Sequence, residues 1–499
     1  MHDDSNERSS TLIFAAMALG VFILHLLTNH RYGFHRDELQ TLGDARYLDW
    51  GFVAYPPLTP FFGRLSLILF GNSVTGARVF PALAQAIVIV LGGLIARELG
   101  GRRFAQVTAA LAVAVAPVAL SAGALLQYVT FDFLWWVLLT YLVVRLVRTN
   151  NERLWIPIGV IIGLGMMTKY TMLFLVAGLA VGVLTSNLRS RLKSQWLWVG
   201  VAISLLIFLP NAIWQIRHHF ITLDFLKYIH GRDIRIGRTK DFLPEQLWVA
   251  ANVFTIPIWI AGLIFYFRPV NRQFRVLGFM FLVPLILFTI AKGRGYYMAP
   301  AYPILLAAGA VAEERWLASL PRPARVKLLQ AATLIFFIVG GVLVAPAVMP
   351  LAPVGSKPFN MNGDFREELG WPDLAAEVAR IYRTLPADQQ AQSGILAGNY
   401  GEAGALDMYG PQYALPRAVS GTNSYWLRGY PDPPPQTLIV LGLNRRYADQ
   451  LFQSCEVVGH NTNRYGIKNE ESADHPDIFL CHDLRQPWPD FWSNFRHFG

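Results

Sequence analysis

The chain has 499 residues, of which 54% are hydrophobic and only 15% are charged. Soluble globular proteins carry about 25% charged residues, so this composition predicts a protein embedded in a membrane. The formal net charge is +10, but most Lys and Arg residues lie in short loops between apolar segments, where the positive-inside rule accounts for them. The sequence has no zinc-type Cys/His spacing and no basic-aromatic tract, which argues against nucleic-acid binding.

Long apolar segments follow one another up to about residue 350. A membrane-spanning helix needs about 20 mostly apolar residues. The first segment has no small-residue cleavage site after it, so we expect it to be a retained span and not a signal peptide. The sequence predicts about eleven spans, at 11–29, 78–97, 104–121, 131–147, 154–168, 170–186, 196–214, 247–267, 275–291, 299–317 and 326–348.

The loop charges predict the orientation. With the N-terminus in the cytoplasm, every inside loop is basic, as the positive-inside rule requires. An odd number of spans then places the residues after about 350 outside. The basic residues of the inside loops are Arg97, Arg102, Arg103, Arg145, Arg148, Arg153, Arg189, Arg191, Lys193, Arg268, Arg272, Arg275, Arg315, Arg322, Arg325 and Lys327.

The first outer loop carries an acidic pair in the stretch FHRDEL, Phe34 to Leu39. Adjacent helical residues point about 100° apart, so we expect one of Asp37 and Glu38 to act and the other to support it. A carboxylate near lipid should have a raised pKa, which suits a general base. The alternative is a solvated loop.

Three prolines follow in the segment Tyr55 to Pro60, YPPLTP. Proline removes a backbone donor and blocks regular helix, so we predict a rigid turn on the membrane surface and a short surface helix at about 60–70. Further along, Asp132 lies in TFDFLWW at the outer mouth of an aromatic span. Ionisable residues at membrane depth are usually functional; the alternative is a helix N-cap.

Cations also gather at the outer ends of spans, where the positive-inside rule does not place them. Lys169 ends the apolar run GLGMMTK, and Lys292 and Arg294 belong to KGRGYY. They indicate an anionic group, either a lipid headgroup or a lipid-linked phosphate. Lys169 could instead extend to the interface, and Tyr296 could be an interfacial aromatic residue.

Residues from about 351 onward read as a water-soluble unit. Strand patterns in GILAGN, ALPRAVSG, TLIVLGL, CEVVGHN and DIFLCHDL alternate with helical patterns near 372–385, 401–409 and 445–453. This alternation predicts a small α/β domain. The glycines of GNYGEAG do not have GxGxxG spacing and favour a turn. If this unit is extracytoplasmic, a disulfide between Cys455 and Cys481 is expected.

Several motifs recur in order over about residues 1–350, and together they resemble one family. The motifs are FHRDEL, AYPPLTPF, TFDFLWW, GMMTKYT, FLPNAIWQIRHHF and KGRGYYMAPAYP. They resemble the polytopic glycosyltransferases of the GT-C fold, above all the bacterial glycosyltransferase family 39 group, which includes relatives of protein O-mannosyltransferases and of lipid A aminoarabinose transferases. The resemblance implies a mainly α, polytopic membrane domain at 1–350, with the α/β domain at 351–499.

The resemblance also implies an activity and its residues. A sugar on a polyprenyl phosphate would be transferred to a glycan, lipid or protein acceptor at the outer face of the bacterial inner membrane. Asp37 would be the base, Glu38 and Asp132 would complete the catalytic set, and substrate-binding residues would surround them. The expected substrate-binding residues are Lys169, Lys292, Arg294, Tyr296, His35, Arg36 and Tyr55.

Two other functional classes stay open at this point. A transporter or flippase for lipid-linked saccharides predicts polar residues through the mid-membrane and inverted repeats, and the sequence contains neither pattern. A binding or scaffold protein would work through its soluble tail. No cofactor is assigned, and no ligand spacing in the sequence supports a divalent cation.

Overall fold

A computed structural model describes residues 2–499 of the chain, with side chains from Ser9 onward. Up to Val348 the described chain is helical, with short connections. Its α-helices are α1 His2–Thr28, α2 Arg36–Arg46, α3 Leu58–Phe70, α4 Val74–Ala77, α5 Val79–Glu98, α6 Arg103–Ala114, α7 Pro117–Ala122, α8 Tyr128–Thr149, α9 Trp155–Met166, α10 Met172–Thr185, α11 Gln195–Arg217, α12 Ile221–Arg235, α13 Phe242–Glu245, α14 Ile256–Phe267, α15 Arg275–Ile290, α16 Tyr302–Ala318 and α17 Pro323–Val348.

Among the residues described, six helices are long and apolar enough to cross a membrane, or up to eight if two bent helix pairs each count as one span. Every predicted span overlaps a helix. Several of these helices are shorter than a full span, such as α6 and α9 with 12 residues each. The polytopic helical architecture is therefore confirmed at this level, while the total of eleven spans stays a prediction.

The helices differ in how much of their surface the protein itself covers. Within their apolar windows, 67% of α5 and 72% of α8 is buried, against 11% of α11 and 17% of α17. The uncovered residues of the outer helices are large and apolar, as in Leu205 and Leu343. An apolar surface of this extent needs lipid as its solvent, so α5 and α8 form the centre and α11 and α17 the lipid-facing periphery.

Contacts between loops agree with the predicted sidedness. Two loops predicted to lie inside meet where Arg148 Nη1 donates to Glu98 Oε2 at 2.9 Å. A third inside loop contacts the first of these, because Arg315 Nη2 donates to the Leu99 carbonyl at 3.3 Å. The predicted outer loops contact one another instead, as in the bond from Gln127 to Asp37. The two sets of loops thus lie on opposite faces.

The first outer loop contains three helices, α2, α3 and α4, and α3 is the short helix predicted at about 60–70. Helix α3 already begins at Leu58, with Pro57 as N-cap, so the expected proline turn is shorter than predicted. Pro60 is accommodated because it lies in the first helical turn, where its missing N–H has no intrahelical partner to lose.

The residues after Val348 contain every strand of the described chain. Their helices are α18 Lys357–Met361, α19 Trp371–Thr384, α20 Ala387–Gln392, α21 Tyr400–Tyr409, α22 Ser424–Leu427, α23 Arg445–Leu451, α24 Glu470–Asp474 and α25 Trp488–Asn494, and their strands are β1 Ser393–Ala397, β2 Ala418–Ser420, β3 Thr437–Leu441, β4 Phe452–His460 and β5 Asp477–Leu484. Each strand overlaps one of the five predicted strand patterns.

The strands form one mixed sheet in the order β2-β1-β3-β5-β4. Strand β1 pairs in parallel with β2 and β3, while β5 runs antiparallel to β3 and β4. Cys455 and Cys481 are register partners on β4 and β5 and form the expected disulfide. Only Gly398 and Asn399 of GNYGEAG form the predicted turn, because Asn399 caps α21 and the segment is helical from Tyr400 onward.

The sheet unit packs directly on the first outer loop. Helix α21 lies against α2, and a Cβ on Gly404 would come within 2.8 Å of the Leu39 backbone. Leu39 and Leu406 belong to one hydrophobic core that continues from the membrane helices into the sheet unit. Since α2 carries the acidic pair, this packing holds the sheet unit, residues 349–499 and called the tail below, beside the predicted site.

Candidate active site

A cavity of about 370 Å³ opens at the outer ends of the helices. Residues from α2, from the turn between α9 and α10, from α12, from the segment after α15 and from the tail line it. Among the predicted site residues, Asp37, Tyr55, Lys169, Lys292 and Arg294 share this cavity. Segments that are distant in the sequence therefore meet at one place on the outer face.

Asp37 lies in the first turn of α2 and is held by two hydrogen bonds. Its Oδ2 accepts from Gln127 Nε2, and its Oδ1 accepts from the Tyr400 hydroxyl, each at 2.9 Å. Burial raises the pKa of the Asp37 carboxyl, but the electrostatic effect of His35, the positive charge of Arg36 and the bond from Tyr400 outweigh it, so the pKa lies below its usual range. The expectation of a raised pKa is therefore wrong, because it considered only the lipid environment.

Tyr400 was not among the predicted site residues. Its hydroxyl donates to Asp37 and accepts from Arg36 Nε at 3.0 Å, and the Arg36 guanidinium lies 5.1 Å from the centre of its ring. Arg36 is ion-paired with Glu470 of the tail. The motif around Tyr400 predicted only a turn, and no sequence pattern links it to a residue 363 positions away.

Glu38 points away from the cavity. Its side chain is fully buried and accepts two hydrogen bonds from Arg78, at 2.9 and 2.6 Å, and one from the Leu126 N–H at 2.8 Å. It also accepts from the His35 N–H and so completes the cap of α2. The expectation that Glu38 is catalytic is corrected by this geometry, since a carboxylate with these partners holds the loop in place.

Lys169 lies among tyrosine rings at the base of the cavity. Its Nζ is 4.1 Å from the centre of the Tyr297 ring, 5.1 Å from Tyr128 and 5.8 Å from Tyr296, an arrangement that stabilises a cation. Burial lowers the pKa of Lys169 to about 8, against the opposing charge of Asp132. Lys169 is thus a cation within the cavity, and not one that extends away to the interface.

Asp132 is buried beside this group and does not line the cavity. Only 2% of it is exposed, and its Oδ2 accepts from the Thr171 hydroxyl at 2.9 Å. It is the fifth residue of α8, whose N-cap is Gln127, so the helix-cap alternative is wrong. The position of Asp132 also does not support direct catalysis. It favours a supporting role, in which the Asp132 carboxylate stabilises the Lys169 cation and the turn at Thr171.

The other cations differ in their partners. Arg294 pairs with Asp233 at 2.6 Å and donates to the Tyr296 hydroxyl at 3.4 Å. Lys292 is exposed and has no ion pair among the described residues. Positive charge therefore exceeds negative charge around Lys169, Lys292 and Arg294, and an anion such as a phosphate fits there.

The remaining predicted residues have supporting contacts. Tyr55 lines the cavity and donates to Asp44 at 2.7 Å. Tyr296 packs near Lys169 outside the cavity, and His35 caps α2 through its Nδ1. Direct substrate contact is therefore not supported for Tyr296 and His35. Within the described part of the chain, no group of three His, Cys, Asp or Glu side chains is placed to hold a metal ion.

Comparison with known proteins gives a consistent result. Residues 54–214 match the family of dolichyl-phosphate-mannose-protein mannosyltransferases. An undecaprenyl phosphate-α-4-amino-4-deoxy-L-arabinose arabinosyl transferase of Pseudomonas fluorescens is 28% identical over 58% of this chain and 56% of its own length. The lipid A galacturonosyltransferase RgtD of Rhizobium johnstonii is 24% identical over 54% of this chain and 58% of its own. The chain thus spans little more than half of these curated relatives.

Solved structures extend the likeness to nearly the whole fold. ArnT from Cupriavidus metallidurans, solved with bound undecaprenyl phosphate, superposes with a TM-score of 0.58 at 16% identity over 94% of this chain and 97% of ArnT. The Archaeoglobus fulgidus oligosaccharyltransferase gives 0.51 at 12% identity over 82% of this chain and 63% of its own. The predicted resemblance is confirmed: the chain shares the fold of these solved transferases, and its sequence is similar to those of membrane glycosyltransferases.

Proposed function

We propose that the chain is a membrane glycosyltransferase that moves a sugar from a polyprenyl-phosphate carrier to an acceptor hydroxyl. One observation carries the proposal. A single cavity is lined by the Asp37 carboxylate and by three cationic side chains, Lys169, Lys292 and Arg294. The relatives named for undecaprenyl-phosphate-linked aminoarabinose support a polyprenyl carrier as the donor.

The geometry suggests how the cavity would work. The carrier phosphate binds among the cations, and the acceptor hydroxyl approaches Asp37. The ionised Asp37 takes the hydroxyl proton while the acceptor oxygen bonds to the anomeric carbon. The bond from that carbon to the phosphate oxygen breaks, and its electron pair leaves with the polyprenyl phosphate. A phosphate needs little help from an acid as a leaving group, so positioning and the nearby cations supply most of the rate enhancement.

We also propose the cellular arrangement predicted from the loop charges. The N-terminus is cytoplasmic, residues 1–350 form the membrane unit of a bacterial inner-membrane protein, and residues 351–499 lie outside the cytoplasm. The disulfide between Cys455 and Cys481 supports the outer location of the tail, because disulfides persist in oxidising compartments. The acceptor class is a glycan, lipid or protein of the envelope; the relative named for lipid A favours a lipid-borne saccharide.

The test uses the purified full chain in detergent with undecaprenyl phosphate carrying labelled aminoarabinose or galacturonic acid, and bacterial lipopolysaccharide as acceptor. The expected result is release of undecaprenyl phosphate together with labelled lipopolysaccharide. A parallel experiment in liposomes follows the intact donor across the bilayer. Movement of intact donor without any transfer would contradict the proposal and favour the flippase.

Lys169 gives the reaction an expected pH dependence. Its pKa is lowered to about 8, so its positive charge is present below that pH and is lost as the pH rises through it. We expect kcat/KM for the donor to fall above about pH 8, since this quantity reports the free enzyme. In Lys169→Arg the charge persists, and the decline should move to higher pH. An unchanged pH profile in this variant would exclude Lys169 as its cause.

Tyr400 is expected to act by positioning Asp37. Removing its hydroxyl in Tyr400→Phe deletes one hydrogen bond, which corresponds to roughly a three- to tenfold loss of kcat, with the donor KM unchanged. Because the Tyr400 bond helps to lower the pKa of Asp37, the acid limb of the rate profile should move to higher pH. Tyr409→Phe, on the same helix and outside the cavity, is the matched control. Equal profiles for both variants would contradict this role.

A further inference from the structure

A second cavity, of about 340 Å³, lies in the tail. Gly398 follows β1, Thr422 follows β2 and Gly442 follows β3, and all three line it. The cavity is thus at the carboxyl ends of the three parallel strands. Strand β1 lies between β2 and β3. After β1 the chain forms β2 on one side of it and then crosses over to form β3 on the other side. Open α/β sheets bind ligands at such a switch point.

The tail cavity is lined by a buried carboxylate whose oxygens accept no hydrogen bond from the described residues. Glu471 is only 2% exposed, and neither of its carboxylate oxygens has a hydrogen-bond partner among the described residues. Arg36 Nη1 forms an ion pair with Glu471 Oε1 at 3.5 Å, a separation too long for a good hydrogen bond. The Nδ1 of His475, also in the lining, lacks a partner there as well. Buried polar groups are nearly always bonded, so these atoms mark where a ligand with donor groups would bind.

The charges and rings of the tail cavity indicate the class of ligand. Three arginines and three acidic side chains line it, so neither sign of charge dominates. In the cavity that Asp37 and Lys169 line, here called the donor cavity, positive charge dominates. Hydroxyl groups donate to carboxylates, and aromatic rings such as those of Tyr447 and Phe495 can pack on the apolar face of a sugar ring. The charged lining residues are Arg36, Arg232, Arg496, Glu470, Glu471 and Asp474.

The two cavities share a wall. Arg232 and Tyr400 line both of them, and the Tyr400 hydroxyl donates to Asp37. We propose that the tail cavity is the acceptor subsite and binds a neutral, polyhydroxylated saccharide, so that one of its hydroxyls reaches Asp37 past Tyr400. The inference rests on the proposed function for the role of acceptor, whereas saccharide binding itself can be measured without any transfer.

The experiment measures saccharide binding to the full chain in detergent by saturation-transfer NMR. The probes are maltotriose, mannotriose and galactotriose, with inorganic phosphate as competitor. We expect at least one saccharide to bind and Glu471→Gln to weaken it about tenfold, the effect of losing a hydrogen bond to a charged group. Tyr447→Ala, at the exposed rim, should weaken it as well and provides a second variant if Glu471→Gln does not fold. Asp224→Asn, at an exposed position on α12 and outside both cavities, should leave saccharide binding unchanged.

Three results would overturn the inference: no binding of any of the saccharides, binding that neither Glu471→Gln nor Tyr447→Ala changes, or displacement by millimolar phosphate, which indicates an anion site. Undecaprenyl phosphate binding is measured on the same samples. Saccharide binding without carrier binding would count against the proposed function alone, and carrier binding without saccharide binding would count against the acceptor subsite alone.

Discussion

Asp37→Asn is expected to lower kcat for sugar transfer by on the order of 10²–10⁴, while the Kd for undecaprenyl phosphate stays unchanged. The amide cannot accept the hydroxyl proton, yet it has almost the same shape, and its one remaining oxygen can still accept a hydrogen bond from Gln127 or from Tyr400. In the proposed arrangement the carrier phosphate binds to Lys169, Lys292 and Arg294, and not to Asp37. Rate and carrier affinity are therefore measured separately, by release of undecaprenyl phosphate and by carrier binding to the purified variant.

Asp224→Asn is the matched control for this prediction. Asp224 is exposed in the first turn of α12 and does not line the donor cavity, so both quantities should match the unaltered chain. Transfer by Asp37→Asn at near-normal rate would remove Asp37 from the role of base. A lost affinity for the carrier would assign it to binding instead.

Arg78→Met is expected to cause the largest loss of stability. Arg78 is fully buried and pairs with Glu38 at 2.6 Å and with Glu368 at 3.1 Å. Removing one partner of a buried ion pair costs about 3–5 kcal/mol, because the remaining charge is left uncompensated. Folded domains are stable by only about 5–15 kcal/mol. Thermal unfolding in detergent, followed by tryptophan fluorescence, should show a large drop in the midpoint temperature.

Two variants give this prediction its controls. Arg464→Met removes an exposed ion pair with Asp373 and should cost less than about 1 kcal/mol. Combining Glu38→Gln with Arg78→Met removes one buried negative charge and should recover part of the loss. If Arg78→Met unfolds at the same temperature as Arg464→Met, the network does not hold the outer loop as described.

The sequence predicted some of the polar residues that meet at the cavity. Asp37, Lys169, Lys292 and Arg294 come from three separate segments and line one cavity. Their meeting followed from topology, because apolar spans and basic inside loops leave only one face for them. The strands of the tail were also predictable, since each is a short apolar run between turn residues.

The roles of individual side chains depended on partners that the sequence does not reveal. Glu38 resembled its neighbour Asp37 as a catalytic candidate until Arg78, 40 residues away, was found bound to it. One signal was present, because Arg78 is a cation at the outer end of a span, where the positive-inside rule does not place one. Tyr400 had no such signal, since only the packing of α21 on α2 brings its hydroxyl to Asp37.

The predicted direction of the Asp37 pKa shift was wrong for the same reason, because it depended on partners that the sequence does not reveal. Proximity to lipid predicts a raised pKa, whereas His35, Arg36 and Tyr400 together lower it. Local geometry also changed the boundary of α3, since Pro60 fits in a first helical turn. For Asp37, neighbouring groups outweighed the effect of burial on the pKa. For α3, the position of Pro60 in the first turn let the helix begin at Leu58.

The proposed donor site is tested most directly by a structure of the full chain with bound undecaprenyl phosphate. We expect the phosphate within hydrogen-bond distance, about 2.7–3.2 Å, of Lys169, Lys292 or Arg294, with Asp37 in the same cavity and free to receive an acceptor. A phosphate bound elsewhere on the molecule, with this cavity occupied by other groups, would contradict it.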